Sequence, residues 1–317
     1  MTIRIFEPDS VLHIYNKCAE DRFFLRPTPQ TNQLIKGWLA RSLDRYPGID
    51  LFAFIFLSNH FHLLLRDNTG DLPGFIGYFK RNLARAINKQ IGRKSGSVFE
   101  RRYGRRSALD DDDSEAAFGY VLTNDVKENL VANAGAGPFC SAIDLALGQR
   151  AEPVELLDRT RRHNASRAGR PLDDEDFTDR FLLQLAPLPV HCALCESQRQ
   201  KRIRQLVTAR EKAYARLRRA QNKRVLGAKN ILRKHRWSRP RHNERPTDDK
   251  LLCGLTERDA DHDRATRQIV ADYRDAFARY KKAATRTRRS AVRWPDWTYP
   301  PSSLRPVVPD RWRPHER

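Results

Sequence analysis

Residues 51–65, LFAFIFLSNHFHLLL, constrain the fold of this chain more than any other stretch. Two short apolar runs flank the polar pair Ser58-Asn59. Each run is too short for a buried helix and dense enough for a strand covered on both faces. The polar pair predicts the turn of an antiparallel hairpin. In a strand, residues two apart project to the same face, so His60 and His62 point together while Phe61 points away into packing.

The flanking segments extend this picture. Val11 to Tyr15 alternates as a strand, and residues Thr31 to Arg45 carry Leu34, Ile35, Trp38, Leu39 and Leu43 at helical spacing, stopped by Pro47-Gly48. Leu72 to Ile91 returns to helical spacing through Phe75, Ile76, Phe79, Leu83 and Ile87, and Ser97 to Leu109 has the pattern of a basic strand. Four aspartates, Asp110 to Asp113, then lead into a helix expected from Ser114 to Leu130, with Asp113 or Ser114 as its N-cap. This order predicts an α+β sandwich on an antiparallel sheet.

Near residue 140 the composition changes. Strand signal weakens and arginine dominates. Residues 141–190 are mixed, 198–236 read as a long basic helix with a break expected at Gly227, and 259–284 read as another helix before a proline-rich tail. The expected organisation is a catalytic domain over 1–142 and a basic, mainly helical extension over 143–317.

Charge narrows the partners. Sixty Lys and Arg oppose 39 Asp and Glu, a formal net charge of +21 in 317 residues. A surface this cationic matches a polyanion, and arginine favours bidentate contact with phosphates. Charge alone does not separate DNA from RNA. The five cysteines form no even disulfide set, and the sequence shows neither a signal-peptide pattern nor an apolar run of membrane-spanning length. These features predict a cytoplasmic, reduced protein.

Chemistry concentrates in four residues. Two imidazoles on one strand face can share a divalent ion, although the same spacing also occurs in surface strands. Tyr120 and Asn124, four apart, share a helix face and offer a nucleophile and an amide oxygen, or equally a buried tyrosine and a helix-ending asparagine.

Together with its surroundings, the segment LFAFIFLSNHFHLLLRD resembles the histidine–hydrophobe–histidine strand of the HUH single-strand DNA transposases, in particular the REP-associated tyrosine transposases. VLHIYNKCAEDRFF is similar to that family's opening strand. FIGYFKRNLARAINKQIGRKSGSVFERRY is similar to its following helix and Gly-x-x-Phe/Trp-x-x-Arg-Tyr strand. YVLTNDVKENLV resembles its tyrosine helix, usually close to Tyr-Ile-His-x-Asn-Pro-Val-Arg-x-Gly-Leu-Val. The resemblance spans roughly residues 10–142. In the C-terminal half, VLGAKNILRKHRWSRPR and YRDAFARYKKA resemble extensions of some longer bacterial members.

The resemblance implies a ferredoxin-like HUH sandwich, Tyr120 as nucleophile, and His60, His62 and Asn124 as ligands of Mg or Mn. It implies cleavage and rejoining of single-stranded DNA near hairpins through a 5′-phosphotyrosine, in a bacterial, nucleoid-associated setting. Two positions depart from the family text: Asp125 replaces its proline and Asn129 its glycine. Two further readings stay open, a hairpin-binding protein without productive cleavage and an RNA-binding module.

Arg81, Arg85, Arg101, Arg102, Arg105 and Arg106, with Phe99 and Tyr103 interleaved, are expected to contact DNA. The basic helix is expected to dock through Ile203, Leu206, Val207, Tyr214 and Leu217 and to present arginines from its other side. Cys192 and Cys195 form a CxxC with no matching second pair, which leaves zinc a minor reading.

Overall fold

The structure, a computed structural model, describes residues 9–149, 151–169, 172–240 and 275. The helix expected over 259–284, apart from Asp275, and the proline-rich tail lie outside the described residues.

The hairpin predicted from the two apolar runs is the centre of the sheet. β2 (Ile49–Phe56) and β3 (His60–Asp67) pair antiparallel, joined by Ser58-Asn59, and β1 (Val11–Lys17) pairs with the other edge of β3. β4 (Gly104–Ser107) and β5 (Cys140–Ser141) close the two edges, giving the antiparallel order β4-β1-β3-β2-β5. The core order β4-β1-β3-β2, with helices after β1 and β3, is the ferredoxin-like βαββαβ arrangement.

Each face of this sheet is covered. α1 (Pro29–Arg45) starts at Thr28, whose side chain accepts from the Thr31 amide at 3.2 Å. α2 (Leu72–Gln90) packs beside α1 and places Phe79 5.8 Å from Phe56 and 6.0 Å from Phe61, ring to ring. Phe61 thus faces α2, as its parity requires, and His60 and His62 face the opposite side. That side is covered by α3 (Asp111–Leu122), which packs on β2 and β3.

Three expectations change in this half. Of the basic stretch 97–109, Gly104–Ser107 forms a strand, and Phe99 adds a single bridge to Cys18. Gly104 lies opposite Tyr15, and a side chain there would meet that ring at 2.2 Å, so a bulkier residue would break the pairing. The helix expected over 114–130 is two pieces, α3 and the short α4 (Asn124–Lys127), broken at Thr123, whose hydroxyl donates back to the Gly119 carbonyl at 2.7 Å. Its N-cap is Asp110, which accepts from the Asp113 amide at 2.8 Å.

Among the described residues, the C-terminal part, expected to be mainly helical, also contains strands. β6 (Ala151–Leu157) and β7 (Thr178–Gln184) form a hairpin packed across α1, with α5 (Arg159–Arg167) between them in sequence. Lys36 pairs with Glu152 at 2.7 Å, and Arg41 reaches Asp158 and Asp179 at 3.3 and 3.4 Å. The basic helix α6 (Glu196–Ala220) ends at Ala220, sixteen residues short of the expected limit, and Asn222 then turns left-handed (φ 50°). Gly227 (φ 81°) then opens α7 (Ala228–Arg233), so the predicted break falls at the start of a second helix. α6 docks on α3 through Ile203, Val207 and Tyr214, all buried. Leu206 is half-buried and Leu217 is exposed. Among the described residues, no helix is long and apolar enough to cross a membrane.

Candidate active site

The antiparallel register places His60 and His62 on the same sheet face as Tyr15, which pairs with His62, and His13, which pairs with Leu64. The His60 and His62 rings lie 5.1 Å apart and nearly perpendicular. His13 Nε2 and His62 Nδ1 share a hydrogen bond of 2.9 Å, and His60 Nδ1 meets Asn59 Oδ1 at 2.9 Å. His60 and His62 therefore both have their Nδ1 engaged, which orients the rings; in the tautomer with the proton on Nδ1, Nε2 keeps its lone pair.

Burial keeps these rings neutral. His13 is pulled down to about 3 by desolvation, then by the charges of Arg106 and Lys127. Desolvation also drives His62 well down, helped by His13, His60 and Lys127. His60 is lowered by desolvation, against an upward pull from the Glu128 carboxylate and the Asn124 amide. A neutral imidazole keeps the lone pair that a metal requires.

Tyr120 comes down on this face from α3. Its ring lies 5.5 Å from both His13 and His62, edge-on to each, and it is 6% exposed. Lys127 Nζ donates to the Tyr120 hydroxyl at 3.3 Å and sits 5.1 Å from the ring centre. Asn124, despite the break at Thr123, faces His60 from the start of α4. It is fully buried, its amide acts on the His60 ring, and among the described residues no backbone or other side-chain group satisfies its Oδ1 or Nδ2.

That buried amide, engaged by no group other than His60, is the observation that tests the metal site. An unpaired buried amide costs roughly 1–3 kcal/mol. A cation on Oδ1 would recover part of this, and the neutral His60 imidazole stands beside it, with that of His62 5.1 Å further on, ring to ring. Among the described residues no three His, Cys, Asp or Glu side chains converge as a metal set, so the third donor here would be the asparagine. Cys192 and Cys195, both exposed, join no such set either. His60, His62 and Asn124 fit a divalent ion.

The two departures from the family text have local explanations. Asn129 adopts φ 56°, a left-handed conformation that asparagine tolerates and that glycine would take freely. Asp125 turns away from the histidines. Its Oδ1 accepts from the Val126 amide at 2.9 Å, and it faces the Gly135 amide and Glu211. Burial pushes it up to about 7. It organises the start of α4.

The extension holds the tyrosine helix from behind. Arg210 donates to the Ala116 carbonyl at 2.6 Å, Arg218 to the Val126 carbonyl at 3.2 Å, and Arg202 pairs with Glu115 through Nε at 2.7 Å. Gly119, immediately before Tyr120, makes room for this contact: a Cβ there would sit 2.5 Å from Arg210 Nε and 3.0 Å from Leu206.

The expected DNA-contacting arginines divide between the two faces. Arg106 pairs with His13 in register and shares the histidine face, whereas Arg105 pairs with Ile14 and shares the other. Arg101 and Arg102 are exposed in the approach to β4. Arg81 and Arg85 are exposed on α2, across the sheet from Tyr120, so the structure does not gather them at the site. Sequence reasoning missed His13, Lys127 and Glu128. The signal for His13 was its alternation with Leu12 and Ile14, and for Lys127 its spacing of seven, two helical turns, from Tyr120.

No family model matches the chain, and no curated protein matches it. Among solved structures it is similar to a REP-associated tyrosine transposase bound to a REP hairpin, with a TM-score of 0.40 and 14% identity over 47% of this chain and 86% of that one. It is also similar to tRNA(His) guanylyltransferase of Saccharomyces cerevisiae, with a TM-score of 0.33 and 13% identity over 41% of this chain and 64% of that one. Neither similarity identifies the chemistry of this chain.

Proposed function

We propose that this protein cleaves and rejoins single-stranded DNA beside hairpins, with Tyr120 as the attacking group. The observation that carries the reading is the convergence of Tyr120 and Lys127 with two neutral histidines and a buried asparagine amide that meets only His60. His60, His62 and Asn124 would hold a divalent ion such as Mg or Mn, which supplies Lewis-acid polarisation of the scissile phosphate and of the departing oxygen.

Tyr120 attacks phosphorus through its phenolic oxygen once the hydroxyl has given up its proton, with Lys127 bonded to that oxygen. The phosphorus–O3′ bond breaks, the 3′ oxygen leaves and takes up a proton, and the 5′ phosphate stays on the tyrosine. Attack by a 3′ hydroxyl on that phosphotyrosine reverses the step and joins strands, so bond energy is conserved without a nucleotide cofactor. Arg106 and the exposed arginines of α6 supply positive charge for the DNA backbone.

The burial of Tyr120 favours one second reading, hairpin binding in which the tyrosine merely packs against His13 and His62. Incubating the protein with Mn and a labelled hairpin oligonucleotide separates the two. Strand transfer predicts a covalent adduct that Tyr120→Phe abolishes. Tight binding with no adduct on any hairpin supports the second reading, and tighter binding to matched RNA supports an RNA-binding module.

A further inference from the structure

The segment after α7 folds back over the loop that follows β1. Its backbone is held at several points: Phe23 donates to the Ser238 carbonyl at 3.1 Å, Arg22 to the Trp237 carbonyl at 2.7 Å, and Arg26 to the Leu232 carbonyl. Arg236 spans the junction, donating to the Phe24 carbonyl at 2.9 Å and to Thr31 Oγ1 at 3.1 Å. Backbone and arginine contacts thus close this junction largely without the Trp237 ring.

That ring is 43% exposed. It stands edge-on to Phe24 with centroids 5.4 Å apart, and the guanidiniums of Arg22 and Arg93 lie 5.6 and 5.8 Å from its centre. A single exposed apolar side chain is ordinary. An indole flanked by two guanidiniums is a different feature, because it joins a π-face to fixed positive charge. The arginines are anchored rather than free. Arg93 donates to the Ser97 carbonyl at 3.0 Å, and Arg22 pairs with Glu20 at 3.0 Å. Arg26, Arg236 and Arg239 add charge nearby, and Glu20 is the carboxylate that pairs with Arg22 and Arg239.

The position matters as much as the chemistry. Leu25 donates to the Ser58 carbonyl at 3.0 Å and Cys18 to the Asn59 carbonyl at 2.6 Å. The loop beneath Trp237 is therefore bonded to the turn that leads directly into His60, and the indole lies at the same end of the sheet as the first strand histidine.

We infer that Trp237, flanked by Arg22 and Arg93, is a stacking platform for one unpaired base of single-stranded DNA. The inference rests on the strand-transfer reading for its choice of DNA. An indole stacks on any base, so the platform tolerates sequence and demands an unpaired nucleotide. The adjacent guanidiniums offset the phosphates on either side of that base.

The test is a binding titration of the full chain without divalent metal. It uses labelled hairpin oligonucleotides with a single-stranded flank in which one nucleotide at a time is abasic. One flank position should weaken binding by about tenfold when abasic. Trp237→Ala should erase that position-dependent loss and Trp237→Phe should keep it, while Arg22→Gln with Arg93→Gln should reduce the salt dependence by one to two phosphates. Loss of affinity in Trp237→Ala that is equal at every position would overturn the inference, since it would show a packing role alone. A position effect found with RNA and not with DNA would overturn it as well. Position-dependent binding without any Tyr120 adduct would sink the strand-transfer reading and leave the platform standing. An adduct without Trp237-dependent binding would do the reverse.

Discussion

His60 and His62 are placed by the backbone ladder of the central strand, whereas the helices that carry Tyr120 and Asn124 are held by Arg210 and Arg218 of α6, which reach the Ala116 and Val126 carbonyls 94 and 92 residues earlier in the chain. In the sheet half, register alone decides which side chains face the site, and a slip of one residue would turn both histidines into the α2 interface. In the helical half, the helix breaks at Thr123, and Arg210, Arg218 and Glu115 determine where its two pieces sit. Local pattern secures one set of groups, and long-range contacts secure the other.

The difference can be broken at either end. The largest effect is expected in the sheet half: His62→Ala removes one of the proposed ligand nitrogens and should cut adduct formation about 10²- to 10³-fold. Circular dichroism should report an intact fold, since the strand ladder survives. Next comes Gly119→Val in the helical half, where the new side chain meets Arg210 and Leu206. Displacement of the tyrosine helix should slow adduct formation by about 10- to 100-fold. Thermal melting should also show a loss of roughly 1–3 kcal/mol, the signature of overpacking. If Gly119→Val left both rate and melting unchanged, α6 would not be what holds Tyr120.

A pH series sharpens the comparison further. Asp125 sits in the helical half with its carboxyl raised to about 7 by burial. A raised carboxyl means that the folded state keeps a proton the unfolded chain has already lost. Stability therefore falls as pH rises from about 4 to 7 and stays low above that. Asp125→Asn should remove the fall, so its melting advantage over the native protein should grow by roughly 2 kcal/mol between pH 5 and pH 8. An advantage that did not change with pH would mean that Asp125 is ionised throughout.

The smallest effect contrasts two arginines. Arg106→Gln, on the histidine face, should weaken single-strand binding by about fivefold at low salt, and Arg81→Gln, across the sheet, by less than about twofold. Equal losses would show that DNA wraps both faces.

How much of this was legible follows from the same division. The hairpin 49–67, the parity that separates Phe61 from the histidines, and the α+β class all follow from period-two and period-3.6 patterning in residues 11–91. His60, His62, Tyr120 and Asn124 were named from spacing and from family resemblance, and the fold gathers them on one sheet face. The break at Thr123 was not legible, because it depends on a hydroxyl returning to the Gly119 carbonyl inside an otherwise helical pattern. Nor was the β6–β7 hairpin, whose charged residues pair with Lys36 and Arg41 of α1 rather than marking an apolar alternation. The role of α6 was half legible: its buried stripe showed in the sequence, and its grip on the Ala116 and Val126 carbonyls did not.

Tyr15 lies on the same face as Tyr120, its ring 6.2 Å from His62, so two phenols stand near the histidines. The measurement that tests the central claim most directly is peptide mapping, by mass spectrometry, of the protein trapped with Mn and a hairpin oligonucleotide. The nucleotide should be found on the peptide that contains Tyr120, joined through a 5′ phosphate. A nucleotide on Tyr15, or no covalent nucleotide on a protein that binds the hairpin tightly, would contradict it.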